Sequence, residues 1–86
     1  MSIEINQDAV ALELSDFLRD ALRQPVQSDD DIFATGMANS MFALELVVYI
    51  EERYGLTLES EDLNRENFRS ATAMSQLVAR RAAAQG

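Results

Sequence analysis

The chain has no cysteine, histidine, tryptophan or lysine among its 86 residues. Without cysteine there is no disulfide and no thiolate nucleophile. Without histidine there is no imidazole base, and the two absences together remove the usual zinc ligands. Without lysine, Schiff-base chemistry is excluded. Long apolar runs are also missing. The longest stretch of large apolar residues is Leu46 to Ile50, far too short to span a bilayer. The opening Met1-Ser2-Ile3-Glu4-Ile5-Asn6 has no basic segment ahead of an apolar run, so no signal peptide is expected. These features predict a cytoplasmic protein.

What is present fits one small folded domain over residues 1–86. The 48% hydrophobic content argues against disorder. A domain of this size buries only about 60–70% of the surface its unfolded chain exposes. The core is therefore modest, and a deep substrate pocket is not expected.

The net charge is −8, and all of it falls between Asp29 and Asp62, where nine acids face the single base Arg53. Elsewhere acids and arginines balance. Such a segment repels nucleic acid and attracts basic protein surfaces. Taken alone, a charge run fits a solvated surface better than a partner site.

The periodicity predicts a first helix, capped by Asn6 or Asp8 and running to about Arg23, with Val10, Leu14, Phe17, Leu18 and Ala21 on one stripe. Pro25 ends it. A loop over 25–38 is pinned by Ile32 and Phe33, and Gly36 permits a tight or left-handed backbone before the next helix. That second helix spans Ser40 to Tyr54, capped by Asn39 or Ser40 and stopped by Gly55. Its core stripe is Ala43, Leu46, Val47, Ile50 and Tyr54. A further apolar set, Met41, Phe42, Leu44 and Val48, is interleaved with Glu45, Glu51 and Glu52. This surplus marks a partner surface; Leu44 fits the core edge equally well, and Phe42 is expected to be exposed. Residues 59–66 hold one short helical turn anchored by Leu63. Phe68 enters the core, and Ser70 caps a last helix that turns Met74, Leu77 and Val78 inward. The tail is expected to fray from about residue 82. The result is an all-α bundle of three longer helices and one short helix.

Two candidate chemistries fail on spacing. A calcium loop starting at Asp29 places Phe33 at position five and Ser40 at position twelve, where oxygen ligands and a glutamate are needed; no metal site is expected. A serine hydrolase needs a base and the Gly-x-Ser-x-Gly turn, and Ser40 has neither. Ser40 is thus not a catalytic nucleophile, and the chain is not expected to be an enzyme. It is either a helix cap or a hydroxyl presented to another enzyme. A phosphodiester attached there would be favoured by the helix N-terminus.

Asp30-Asp31-Ile32-Phe33-Ala34-Thr35-Gly36-Met37-Ala38-Asn39-Ser40 has the spacing Asp-x-x-Phe-x-x-Gly-x-x-x-Ser. It continues into Met41-Phe42-Ala43-Leu44-Glu45-Leu46-Val47, then Ile50-Glu51-Glu52-Arg53-Tyr54-Gly55-Leu56, and later Asn67-Phe68-Arg69-Ser70. Over nearly its whole length the chain resembles the acyl carrier protein family. The resemblance implies a four-helix bundle with 4′-phosphopantetheine on Ser40, transferred from coenzyme A by a phosphopantetheinyl transferase, its thiol holding an acyl thioester. It also implies a recognition helix whose Met41, Leu44, Glu45, Val48, Glu51 and Glu52 dock on basic enzyme surfaces; the chain's own pattern adds Phe42. The implied partners are the transferase and acyl-loading, tailoring and acyltransferase or synthase enzymes, with neither nucleic acid nor membrane. The carrier is expected to be monomeric.

Fatty-acid carriers usually have Asp-Ser-Leu where this chain has Asn39-Ser40-Met41, and a polar residue where it has Phe42. Asn-Ser-Met-Phe-Ala-Leu looks like free-standing carriers of polyketide and hybrid peptide–polyketide pathways that hold hydroxymalonyl, methoxymalonyl or aminomalonyl extender units. A peptidyl or aminoacyl carrier, and an acidic helical adaptor without a prosthetic group, are the alternatives.

Overall fold

The computed structural model describes residues 6–85. Met1 to Ile5, on which the N-terminal reading rests, and Gly86 lie outside the described residues. Four α-helices follow one another: α1 (Gln7–Leu22), α2 (Ser40–Tyr54), α3 (Arg65–Phe68) and α4 (Ala71–Gln85), with a single 3-10 turn at Ser60–Asp62 before α3. No strand occurs among the described residues.

Asn6 caps α1, its side-chain oxygen accepting from the Ala9 N–H at 3.2 Å. Asp8 instead sits in the first turn, where a carboxylate favours the helix dipole. The helix stops at Leu22 because Arg23 turns left-handed, with φ of 55°; Pro25 follows two residues later, as is common after such a stop. Val10, Leu14, Ser15 and Leu18 are buried. Ala21, expected on the stripe, is exposed. The i, i+4 row through Leu14 and Leu18 leads to Leu22 instead, which packs partly on the core.

α2 occupies the expected span. Asn39 is its cap, accepting from the Phe42 N–H at 3.0 Å, and Gly55 ends it with φ of 65°. Only Leu46 and Ile50 are fully buried along it. Ala43, Val47 and Tyr54 are half-buried, and so is Tyr49, outside the expected stripe.

The short turn expected over 59–66 is split in two. Leu63 does not anchor it; it is 49% exposed. Asp62 is the buried residue there, receiving the Glu59 N–H at 2.9 Å and lying 3.4 Å from Arg81 Nε. Polar contacts, not an apolar plug, hold this turn. Asn64 then caps α3 through the Asn67 N–H at 3.0 Å.

Ser70 caps α4 as expected, accepting from the Ala73 N–H at 3.0 Å. Helical geometry continues to Gln85, through residues 82–85 where the composition suggested fraying. The core gathers Leu14 and Leu18 from α1, Leu46 and Ile50 from α2, Phe68, and Met74, Leu77 and Val78 from α4. α1 packs against α4. α1 is tied to α2 by Glu13, which accepts from Tyr54 OH at 2.6 Å and from Arg53 Nη2 at 2.7 Å.

Candidate functional site

The loop before α2 is built to deliver Ser40 to the surface. Ile32 is fully buried, and its N–H donates to the Arg69 carbonyl at 2.8 Å, fastening the loop to the α3–α4 junction. Asp31 Oδ1 accepts from the N–H groups of Phe33, at 3.0 Å, and Ala34, at 2.9 Å. The Ala34 N–H leads in holding the Asp31 carboxyl below its ordinary range, with that of Phe33 and the nearby charges of Arg65 and Arg69 adding to it and desolvation opposing. Gly36 has φ of 79°, a conformation that side chains with a Cβ adopt only at a cost. From there the Ala38 N–H returns to the Ile32 carbonyl at 2.9 Å.

Ser40 is the first residue of α2 and is exposed. Because Asn39 performs the capping, the Ser40 hydroxyl is left without a hydrogen bond among the described residues. A hydroxyl in that position is accessible to an external enzyme, and the first turn of a helix favours a phosphate ester.

Beside it runs an open groove of about 360 Å³ between α2 and the segment carrying α3. Ser40 lines it together with Phe33, Leu44, Val47, Leu63 and Phe68, with Asn64 and Arg65 also contributing. The groove is mostly apolar. Sequence reasoning missed Leu63, Asn64 and Arg65 as neighbours of Ser40; the polar caps at Asp62 and Asn64 signal the local turns but not their return to Ser40.

The other predicted surface residues divide. Met41, Leu44 and Val48 are 77%, 67% and 52% exposed, and Glu45 and Glu52 are exposed beside them. This settles the placement of Leu44, which is not at the core edge. It forms a ridge between the Ser40 groove and a second, shallower hollow walled by Phe17, Val48 and Tyr49 and rimmed by Glu45 and Glu52. Phe42 is not exposed as expected. It is half-buried, its ring 6.4 Å from that of Phe17, which in turn stacks on Tyr49 at 4.0 Å. The reason is local: α1 passes close enough for Phe17 to cover this side of α2. Burial also pushes the Tyr49 hydroxyl pKa upward. Glu51 is likewise half-buried, and its Oε2 accepts from the Leu58 N–H at 2.9 Å, holding the chain after α2.

The acidic run does not converge on a point. Asp29 accepts from Thr72 Oγ1, Asp30 from the Gln27 N–H, and Asp31 from its own turn. Among the described residues no three potential metal ligands cluster, and no helix is long and apolar enough to cross a membrane.

A family model described as a phosphopantetheine attachment site matches residues 7–78. The chain belongs to that carrier-protein family. Carrier proteins of this family hold 4′-phosphopantetheine and are non-catalytic; a phosphopantetheinyl transferase modifies them and they work with partner enzymes. A D-alanyl carrier protein of Streptococcus suis (strain 05ZYH33) is 35% identical over 43 residues. That match covers 50% of this chain and 54% of the relative, so the similarity spans about half of each. The site's chemistry fits the prosthetic group. An exposed, unengaged hydroxyl stands at a helix N-terminus, with an apolar groove beside it.

Proposed function

We propose that Ser40 is the residue that carries 4′-phosphopantetheine, and that the carrier presents a malonyl-type extender unit to enzymes of a polyketide or hybrid peptide–polyketide pathway. The observation that carries the assignment is the freedom of the Ser40 hydroxyl, the capping of α2 having passed to Asn39. In the attachment reaction the Ser40 oxygen bonds to the phosphorus of the phosphopantetheine half of coenzyme A. The pyrophosphate P–O bond breaks, and the adenosine bisphosphate leaves. The hydroxyl proton goes to a base on the transferase: this chain has no histidine, lysine or cysteine, and among the described residues no carboxylate is hydrogen-bonded to the Ser40 hydroxyl. Once attached, the group supplies a thiol for thioester chemistry, the only thiol on a chain without cysteine.

The protein's own residues supply recognition. Met41, Leu44 and Val48 offer apolar contact, and Glu45 and Glu52 offer charge for a basic enzyme surface. Glu51 and Phe42 support this face from beneath. Residues 7–78 make up the carrier domain, which on this reading works as a monomer in the cytoplasm. The extender-unit reading rests on Asn39, Met41 and Phe42 around Ser40. An aminoacyl cargo is the second reading, favoured by the likeness to a D-alanyl carrier protein.

Coexpression with a broad-specificity transferase, followed by intact mass measurement, tests the attachment. The proposal predicts one phosphopantetheine adduct, lost in Ser40→Ala. An unmodified chain that still binds basic partners would make it an adaptor instead. Cargo recovered from the native host by thioester cleavage separates a malonyl-type acid from an amino acid.

A further inference from the structure

The Ser40 groove is apolar except at one side, where Arg65 stands. Arg65 is exposed, with its guanidinium 5.8 Å from the centroid of the Phe33 ring, a contact that holds it against the groove wall. It has no ion pair among the described residues, although the segment around Ser40 is strongly acidic. Four carboxylates of the neighbouring turns are held by other residues, although the Arg65 charge still acts on Asp31. Asp31 binds two N–H groups of its own turn, Glu66 pairs with Arg69 at 3.6 Å, and Glu59 and Asp62 pair with Arg81.

Building on the assignment of Ser40, we propose that Arg65 is an anion-binding residue that pairs with a negative group on the arm attached to Ser40. Two such groups exist on a malonyl-loaded carrier: the phosphodiester at the root and the free carboxylate of the cargo. A guanidinium suits either. Either pairing draws the arm along the groove past Phe33; pairing with the carboxylate also favours an anionic cargo over one ending in an ammonium. Arg65 is thus an arm-binding residue of this site, and a specificity-determining one where its partner is the cargo carboxylate.

The test uses the full chain in four states: unmodified, carrying the free arm, acetyl-loaded and malonyl-loaded. Side-chain Nε–Hε NMR signals are recorded for each, with Arg65 assigned from Arg65→Gln. A shift of the Arg65 signal on addition of the free arm assigns the phosphodiester. A shift seen only on malonyl loading, and not on acetyl loading, assigns the carboxylate. Either should shrink with added salt and persist in spirit in Arg65→Lys, where the arm's own signals still move while those in Arg65→Gln do not. An Arg65 signal unchanged across all four states overturns the inference while leaving Ser40 as the attachment site. Failure of the arm to attach, read by intact mass, overturns the Ser40 assignment and this inference together.

Discussion

α2 and α4 are both 15 residues long, yet they are used in opposite ways. α4 buries Ala71, Ala73, Met74, Ser75, Leu77 and Val78. α2 fully buries only Leu46 and Ile50 and leaves Met41, Leu44 and Val48 in solvent beside Glu45 and Glu52. Apolar surface that could have enlarged a modest core is left outside. The contrast teaches that α4 secures the fold, while α2 has a thin inner edge and a wide outer face available to partners.

Truncation should break this symmetry of length most visibly. Leu77→Ala in α4 is expected to cost about 2–5 kcal/mol, the range for a fully buried leucine. Leu44→Ala on the α2 ridge should stay within about 0.5 kcal/mol while weakening partner binding. Denaturant unfolding of the two variants checks the pair; equal losses would mean that α2 is as structural as α4. Phe42→Ala should fall between them at about 2 kcal/mol, because its ring is only half-buried but stacks with Phe17. A variant with unchanged stability would return Phe42 wholly to the docking face. Glu51→Ala should cost about 1 kcal/mol by leaving the Leu58 N–H without its acceptor, whereas Glu52→Ala, on the open side, should change stability little.

The smallest effect is a pH dependence. Asp31 is held below its ordinary range, first by the Ala34 N–H, and Glu13 first by the Tyr54 hydroxyl and then by Arg53. A carboxyl depressed by folding stabilises the native state above its unfolded pKa, about 4 for these side chains. That contribution is lost as the pH falls through the lower folded value. Unfolding midpoints should therefore decline on acidification, and Asp31→Asn, which keeps an acceptor but cannot titrate, should flatten the decline. The opposite slope in this range would contradict the assignment.

The span and caps of α2, the Ser70 cap, and the inward residues of α4 were legible because helix periodicity and capping are local properties. Phe42 was not, since its cover comes from Phe17 on another helix. The structural work of Glu51 was hidden for the same reason: its partner, the Leu58 N–H, lies beyond the helix stop. Leu63 misled because an apolar residue in a polar stretch suggests an anchor, while the buried Asp62–Arg81 pair holds that turn. The Ser40 motif was readable from spacing, but the groove beside it depends on where the chain returns after Gly55, which no local pattern specifies.

The most direct test of the central claim locates the modification. Cleavage after arginine releases residues 24–53 as one peptide, which contains Ser28, Thr35 and Ser40 as its aliphatic hydroxyls. After coexpression with a transferase, fragmentation of that peptide should place a single phosphopantetheine on Ser40. An adduct on Ser28 or Thr35, or a peptide that remains unmodified, would contradict the account.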